Sequence, residues 1–145
     1  MWFVLFLGTA LVLHFFVPTS RVFSLEYGRV YDILGLLVFV GGFYLPLWAS
    51  KIFAEEKTEI IPTSPTNRVL ITHGPFKFSR NPMYLGMVIS LLGIAIVIGT
   101  LPMFIAAAAQ FLVLNFVFVP FEEEKMQRQF PEAFSAYRAH VRRWL

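Results

Sequence analysis

Four long apolar stretches alternate with polar segments along the chain, at about residues 2–17, 31–49, 83–98 and 101–119. A helix that crosses a bilayer needs about 20 apolar residues, within a range of about 17–25, so the first and third stretches would extend into their flanks. The low charge of each stretch supports its assignment as a transmembrane helix more strongly than its length does. The pattern predicts an all-α integral membrane protein with four transmembrane helices in a single membrane domain, residues 1–145.

The first stretch has the hydrophobicity of a signal peptide as well as that of a transmembrane helix. No basic segment precedes it, and no small-residue cleavage site comes before "VPTSRVF". We therefore expect a retained helix here.

The segments between the stretches predict turns and irregular pieces. Only "GTLP" separates the third and fourth stretches, so these should form a tight antiparallel hairpin. Gly41, Gly42 and Pro46 in the second stretch are typical of a kink or a close approach between helices. In the linker, residues 50–82, "KIFAEEKTEI" predicts a helical continuation, "IPTSPTN" ends it, and a short extended piece at 68–72 leads to a turn at "HGP".

The C-terminal tail, residues 120–145, changes to an amphipathic pattern. Its apolar positions recur every three or four residues with charges between them: Met126, Phe130, Phe134, Tyr137, Val141 and Trp144. This spacing predicts an amphipathic helix, or two short helices broken near Pro131. Such a segment lies on the membrane surface or folds over the cytoplasmic end of the bundle.

Composition and charge agree with a bilayer protein and set its orientation. Hydrophobic residues make up 57% of the chain, and the absence of cysteine excludes disulfides, thiolate metal sites and cysteine nucleophiles. All 12 basic residues except Arg21 and Arg29 lie in the linker or the tail. By the positive-inside rule, both segments are cytoplasmic, and with four spans both termini are cytoplasmic too. This distribution suits a lipid bilayer and not a nucleic acid.

Candidate chemistry lies where the linker meets the third stretch. His73, Arg80, Asn81 and Tyr84 fall close together in sequence. The glycines beside them, Gly74 and Gly86, would leave room for a ligand to approach the backbone. Each residue alone also has a structural explanation: Asn81 as an N-cap, Pro82 at the first helical position, and Arg80 reaching the phosphate level.

Three adjacent carboxylates, Glu122, Glu123 and Glu124, follow the fourth stretch directly. The cytoplasmic leaflet is itself negative, so a cation should compensate them. Arg80, Lys77 or a bound cation can do so, and ordinary acidity at a helix N-terminus is the alternative explanation.

These two blocks, "THGPFKFSRNPMYLG" and "VPFEEEKMQRQFPEAFSAYRAHVRRWL", resemble the isoprenylcysteine carboxyl methyltransferase and phospholipid methyltransferase group of integral-membrane enzymes. The pattern of that group is a Gly-Pro-aromatic turn, an Arg-His-Pro or Arg-Asn-Pro step before Tyr-x-Gly, and a Glu-Glu pair before an aromatic tail. The residues that match it are Gly74, Pro75, Phe76, Arg80, Pro82, Tyr84, Gly86, Glu122, Glu123 and Tyr137. Pro131, Phe134 and His140 stand where the group usually has glycine, tyrosine and arginine.

The resemblance implies that S-adenosylmethionine is the methyl donor and binds between the Arg-Asn-Pro segment and the acidic tail. The residues implied for its binding are His73, Gly74, Pro75, Phe76, Arg80, Asn81, Tyr84, Gly86, Glu122, Glu123 and Tyr137. A glutamate would lie near the positive charge of the donor, Arg80 would hold a carboxylate, and Phe76 or Tyr84 would contact the adenine.

The catalytic residues expected from this resemblance are Arg80, Glu123 and His140. An isoprenylcysteine-like carboxylate would be oriented by Arg80, whereas a lipid amine or a hydrophobic thiol would lose its proton to His73, His140 or a glutamate. The reaction requires no metal.

Two alternative functions differ in their ligand. The C-terminal domain of membrane steroid reductases is similar in layout and binds NADPH, although no extra basic run suited to a 2′-phosphate is present here. The departures at Pro131, Phe134 and His140 also allow a non-catalytic membrane scaffold.

Overall fold

The computed structural model describes residues 2–16, 22, 28–56 and 69–145, and the regular structure in these ranges is helical. The all-α prediction is confirmed for this part of the chain. The α-helices are α1 (Trp2–Phe16), α2 (Gly28–Glu55), α3 (Pro82–Ile98), α4 (Leu101–Val113), α5 (Val119–Gln129) and α6 (Pro131–His140). A 3₁₀ helix forms at Gly74–Lys77, and a π-helical turn forms at Leu114–Phe118.

Two helical runs are long and apolar enough to cross a membrane, Arg29–Glu55 and Leu101–Gln129. The first and third predicted spans correspond to shorter apolar helices, Phe3–Phe16 and Pro82–Ile98. Within the apolar windows of the two long runs, only 17% and 28% of the residues are buried. Soluble proteins rarely expose such extensive apolar surface, so these helices indicate membrane integration.

The boundaries of the polar segments differ in part from the sequence pattern. The predicted helical continuation of the second stretch is confirmed as far as Glu55. The "IPTSPTN" segment and Arg68 lie outside the described residues. Residues 69–72 form no strand, and the predicted turn at "HGP" is the start of the 3₁₀ helix.

The chain divides into two compact units, of which the first comprises Met1–Phe43 and Gly86–Val113. In this unit α3 ends at Ile98 and α4 begins at Leu101, which confirms the tight hairpin. Gly99 permits the turn because it adopts a φ of 71°, a left-handed conformation that closes many helix C-termini. The buried core of the unit consists of Ala10, Leu91, Ala95, Met103, Ala106 and Ala107.

Close contact between α2 and α3 within the first unit explains one of the two adjacent glycines. A Cβ atom added at Gly42 would lie 2.6 Å from the backbone nitrogen of Ser90 and 2.9 Å from the carbonyl oxygen of Gly86. A Cβ atom at Gly41 would meet nothing within 4 Å. Gly42 therefore sets the helix approach, as the sequence predicted for the pair, whereas Gly41 does not.

The second unit comprises Tyr44–Leu85 and Leu114–Leu145. Its first segment after residue 113 is the π-helical turn, which ends just before Pro120. Proline has no N–H group for the carbonyl four residues earlier, and its ring clashes with that carbonyl, so a local widening lets the helix continue. The helical run therefore passes Pro120 and ends at Gln129, with α6 beginning at Pro131.

The tail thus forms two helices, the second of the two arrangements that its periodicity allowed. However, α6 ends at His140, and Val141 is extended, with φ −118° and ψ 129°. The expectation that the amphipathic helix includes Val141 and Trp144 is therefore wrong. Other partners take the backbone carbonyls of this last segment, as described below.

The core of the second unit fixes the 3₁₀ helix that precedes α3. Ala49, Ile52, Ile71 and Phe76 are buried together, and the ring of Phe76 makes an edge contact with Phe53 at 5.7 Å between centroids. Gly74 has a φ of 62° and lies against Ile52 and Trp48. These side chains occupy the space beside Gly74 that the sequence suggested for a ligand.

Candidate functional site

The centre of the candidate site is a buried carboxylate between two arginines. Arg80, just before α3, donates from Nε and Nη2 to Oε1 of Glu123 on α5, at 3.0 and 2.7 Å. Arg143 donates from Nη2 to Oε2 of Glu123 at 2.8 Å. Only 9% of the Arg80 side chain and 10% of the Glu123 side chain are exposed. The predicted cation beside the carboxylates is therefore Arg80, joined by Arg143.

The two arginines determine the ionisation of Glu123. Burial raises the pKa of its carboxyl group, but hydrogen bonds from Arg143 and Arg80 and the charges of both lower it further than burial raises it. The net result is a pKa below the ordinary value for glutamate. Glu123 is consequently a carboxylate at neutral pH, and the cluster of three groups carries one net positive charge.

The neighbouring carboxyl group has a different environment. Tyr84, in the first turn of α3, donates its hydroxyl hydrogen to Oε1 of Glu122. Burial raises the pKa of Glu122 above its ordinary value, although the bond from Tyr84 and the charge of Lys125 act against this. The adjacent carboxyl groups thus differ: the pKa of Glu123 is lowered, and that of Glu122 is raised. Glu124 is exposed and pairs with Arg128 on the same helix.

The C-terminal segment, residues 141–144, binds to the residues that precede α3. Its carbonyl oxygens at Val141 and Arg142 accept bonds from Nη1 and the backbone N–H of Arg80, at 2.6 and 3.0 Å. The carbonyl oxygen of Arg143 accepts bonds from the Ser79 hydroxyl at 3.2 Å and from Nδ2 of Asn81 at 3.1 Å. These bonds satisfy the carbonyl groups of the C-terminal segment, and they hold Arg143 beside Glu123.

The Asn81 and Pro82 positions agree with the helix-start explanation of the sequence. Pro82 is the first residue of α3, and the carbonyl of Asn81 accepts the bond from the Leu85 N–H at 2.9 Å. The side-chain amide of Asn81 donates to the carbonyl oxygen of Arg143. Asn81 thus both begins α3 and holds the C-terminal segment.

Tyr137 on α6 connects that helix to the 3₁₀ helix. Its hydroxyl donates to the carbonyl oxygen of Phe76 at 2.6 Å, and burial raises its pKa well above the ordinary tyrosine value. The ring of Phe76 is buried in the core, as is Pro75. The ring of Phe76 is thus buried, whereas Tyr84 is partly exposed.

Three predicted residues lie apart from the cluster. His73 is half exposed and lies 3.5 Å from Glu56. His140 is exposed, and its Nδ1 contacts the Ala136 carbonyl of its own helix at 2.8 Å. Gly86 belongs to the first unit, where its carbonyl lies against Gly42. The roles suggested for these three residues, including catalysis by His140, stay predictions.

Sequence reasoning missed Arg143 and Ser79. The sequence pattern marks neither residue as functional: it predicts Arg143 to be one of several charges in an amphipathic tail and Ser79 to be a loop residue. The "RRWL" that ends the tail, with basic residues next to a tryptophan, was the available signal. Trp144 is in fact held, since its Nε1 donates to Oδ1 of Asn115 at 2.9 Å.

The cluster combines a fixed carboxylate, a second carboxyl group that protonates more easily, and two guanidinium groups. Such a set can bind a zwitterion, because it offers both signs of charge within hydrogen-bonding reach. Three of the five N–H groups of Arg80 bond Glu123 and Val141, and the other two bond no further residue in the described ranges. No group of three or more metal-binding side chains occurs among the described residues.

Comparison with known protein families gives a match. The family described as phospholipid methyltransferase matches residues 30–133. This range includes the Arg80 block and the acidic pair, and it ends before Tyr137 and Arg143. No curated protein and no solved structure matches the chain significantly.

Proposed function

Because the chain belongs to the phospholipid methyltransferase family, we propose that it transfers a methyl group from S-adenosylmethionine to a lipophilic acceptor at the cytoplasmic face of a membrane. The acceptor is an isoprenylcysteine-like carboxylate, a lipid amine or a hydrophobic thiol. The bilayer supplies this acceptor laterally, while the water-soluble donor comes from the cytoplasm.

One observation carries the proposal: the two sequence blocks that resemble these enzymes meet at a single buried ion cluster. Arg80 and Glu123 are 43 residues apart in the chain and bonded directly in the fold. A buried charge costs free energy unless it is paired and hydrogen-bonded, and isolated buried pairs often stabilise no better than apolar residues. A ligand-binding role would explain why the protein has a buried ion cluster at this position.

The chemistry of the cluster fits the methyl donor. S-adenosylmethionine supplies an electrophilic methyl group on a sulfonium, and it also carries an ammonium, a carboxylate and an adenosine. Glu122 provides negative charge for the cationic groups, whereas Glu123 holds Arg80, whose remaining N–H groups provide donors for the carboxylate. Tyr84 adds an aromatic ring beside them.

The proton of an amine or thiol acceptor has a natural destination in Glu122. A general base works best when its pKa approaches the working pH, and burial raises the pKa of Glu122 in that direction. The hydroxyl of Tyr84 orients one oxygen of this carboxylate. A carboxylate acceptor would need no base, and Arg80 would then orient it.

The positions of the basic residues favour a four-span topology with both termini in the cytoplasm. The chain has no cysteine, so single cysteines introduced at exposed Lys77, Ser135 and Leu101 can be labelled specifically. In sealed vesicles of known orientation, an impermeant maleimide should label positions 77 and 135 from the cytoplasmic side and position 101 from the other side. Labelling of all three from one side would contradict this topology.

Donor binding is the direct test of function. Detergent-purified protein should bind S-adenosylmethionine and S-adenosylhomocysteine in a calorimetric titration, and Glu123→Gln should weaken this binding at least tenfold. The matched control is Glu124→Gln, which removes the adjacent, exposed carboxylate and should bind as the wild type does. Binding of NADPH instead would favour the reductase, and binding of none of these ligands by folded protein would favour the scaffold.

The acceptor class can then be determined with a labelled methyl group. Wild-type protein should transfer it to one of three probes, namely phosphatidylethanolamine, a farnesylcysteine derivative or a long-chain thiol, presented in mixed micelles. Donor binding without transfer to any of the three would overturn the acceptor assignment but not the donor site.

A further inference from the structure

A polar side chain lies within the apolar part of the helical run Leu101–Gln129. Asn115 belongs to the π-helical turn, Leu114–Phe118. The first charged residue after it is Glu122, seven residues further on, which is about 10 Å along a helix at 1.5 Å per residue. A polar group in an apolar layer costs free energy unless it is hydrogen-bonded, so the partners of this amide are informative.

One half of the Asn115 amide is bonded, and that bond fixes the orientation of the other half. Nε1 of Trp144 donates to Oδ1 of Asn115 at 2.9 Å. An indole N–H can only donate, so the amide atom that it contacts is the oxygen, and Nδ2 is directed away from the indole nitrogen. Within residues 2–16, 22, 28–56 and 69–145, Nδ2 bonds no group. The unbonded half of the amide therefore offers N–H donors and no acceptor.

A molecule at the surface of the helix can reach Nδ2. This atom is not among the unbonded side-chain atoms that the described part of the chain seals from its surface. Asn115 is half-buried, between the fully buried Leu114 and Phe116, which is 71% exposed. Val117 is exposed as well. The amide thus lies at the boundary between the protein interior and an apolar surface that suits lipid.

The depth of Asn115 limits the chemistry of its partner. The headgroup region of a bilayer is roughly 5–8 Å thick on each side of the hydrocarbon core. With the charged residues from Glu122 onwards at the outer boundary of this region, Asn115 lies about 10 Å deeper, where the acyl chains begin. Trp144 is of a residue type that is enriched at this level. Charged groups are costly here, and the hydrogen-bond acceptors that a lipid carries at this depth are the carbonyl oxygens of its acyl esters.

We propose that Asn115 binds an acyl-ester carbonyl oxygen of a bilayer glycerolipid. Nδ2 donates a hydrogen bond to that oxygen, and Trp144 holds the amide in the required orientation. The acyl chain lies against the exposed apolar side chains beside Asn115, Phe116 and Val117. The site holds one lipid directly before the charged part of α5. It needs only the bilayer and these residues, so it goes beyond the proposed methyl transfer and does not depend on it.

A matched pair of lipids tests the proposal on the wild-type protein. Dioleoylphosphatidylcholine has ester carbonyls, whereas its dioleyl ether analogue has the same headgroup and chains without a carbonyl oxygen. In a detergent without ester groups, the thermal unfolding midpoint should rise at lower concentrations of the ester lipid. The two dose curves should differ about fivefold in concentration, as one hydrogen bond implies. The choline nitrogen cannot accept a further methyl group, so the comparison is independent of methyl transfer.

Variants then locate the effect. Asn115→Leu keeps a similar volume without polar atoms and should respond equally to the two lipids. The comparison is made within the variant, so a lower midpoint caused by the lost bond to Trp144 does not affect it. Gln127→Leu removes an amide from α5 that bonds Pro131 and Ser135, and it should keep the wild-type preference for the ester lipid.

Two outcomes would overturn the proposal. Equal responses of the wild type to the two lipids would leave water as the partner of Nδ2. An unchanged preference for the ester lipid in Asn115→Leu would show that the carbonyl oxygens bind elsewhere on the protein.

Discussion

Arg143 and Glu123 are 20 residues apart and meet at 2.8 Å, where the arginine bonds the one carboxylate oxygen that Arg80 does not. The carboxylate is thus shared between the segment before α3 and the C-terminal segment. Because the backbone carbonyls of that segment are bonded as well, its position does not depend on the ion pair alone. The C-terminal segment is consequently part of the candidate site and not a separate surface feature.

The first prediction concerns the contribution of Arg143 to stability. Arg143→Ala should lower the free energy of unfolding by about 1–2 kcal/mol, since hydrogen bonds to charged groups contribute about that much when partly screened by solvent. Thermal or denaturant unfolding of the purified protein in detergent measures this change.

Arg142→Ala is the matched control, because it removes the same charge from the adjacent exposed position. The Arg142 backbone carbonyl, which bonds Arg80, is unchanged by this substitution. Its effect should remain within about 0.5 kcal/mol. Equal losses in the two variants would show that net charge matters here and the bond to Glu123 does not.

The second prediction concerns pH. The folded pKa of Glu123 is lowered, so its carboxylate adds stability that is fully present above the unfolded pKa of about 4.3 and is lost as the pH falls through the lower folded pKa. At pH 7, Glu123→Gln should be less stable than wild type by about 3–5 kcal/mol, the usual cost of breaking a buried pair. The difference between their unfolding midpoints should then shrink below about pH 4.3.

Glu122 has the opposite effect on the pH dependence of stability, because burial raises the pKa of its carboxyl group in the folded protein. Its contribution is nearly the same in wild type and in Glu123→Gln, and it therefore cancels in the difference between them. A difference that stays constant down to pH 3 would contradict the assignment of the acid-sensitive stability to Glu123.

The third prediction concerns the bond between α6 and the 3₁₀ helix. Tyr137→Phe removes the hydroxyl that bonds the carbonyl of Phe76, and it should destabilise the protein by about 1 kcal/mol or somewhat more. Tyr44→Phe, at an exposed tyrosine, should have little effect. Because burial raises the pKa of Tyr137, its contribution should persist through pH 9, which unfolding midpoints at pH 7 and pH 9 can check.

The sequence predicted those parts of the fold that depend on local pattern. The low charge and length of the stretches predict helices, "GTLP" predicts the hairpin, and Asn81 with Pro82 predicts the start of α3. These features follow from backbone propensities and from the burial of apolar residues, which operate over a few turns of chain. The partner of Glu123 was predicted only as a choice between Arg80, Lys77 and a bound cation.

Other features depend on contacts between distant segments and could not be predicted from one sequence. The periodicity of Val141 and Trp144 continues that of α6, yet their segment leaves the helix because Ser79, Arg80 and Asn81 bond its carbonyls. Pro120 marks a change of pattern, but the π-helical turn before it lets the helix continue. In the first case tertiary hydrogen bonds override the sequence pattern, and in the second a local change of helix geometry does so.

The two adjacent glycines of α2 give the last prediction, since their sequence context is nearly the same and only the structure distinguishes them. Gly42→Ala places a Cβ atom 2.6 Å from the backbone nitrogen of Ser90, so the helices must separate, at a cost of about 1–3 kcal/mol. Gly41→Ala meets open space and should be neutral or stabilise α2 by up to about 1 kcal/mol, because alanine loses less backbone entropy in a helix. Unfolding midpoints of the two variants in detergent should therefore move in opposite directions, or only that of Gly42→Ala should move. A larger loss at Gly41 would mean that the opposite face of α2 approaches α3, and the packing of the first unit described above would be incorrect.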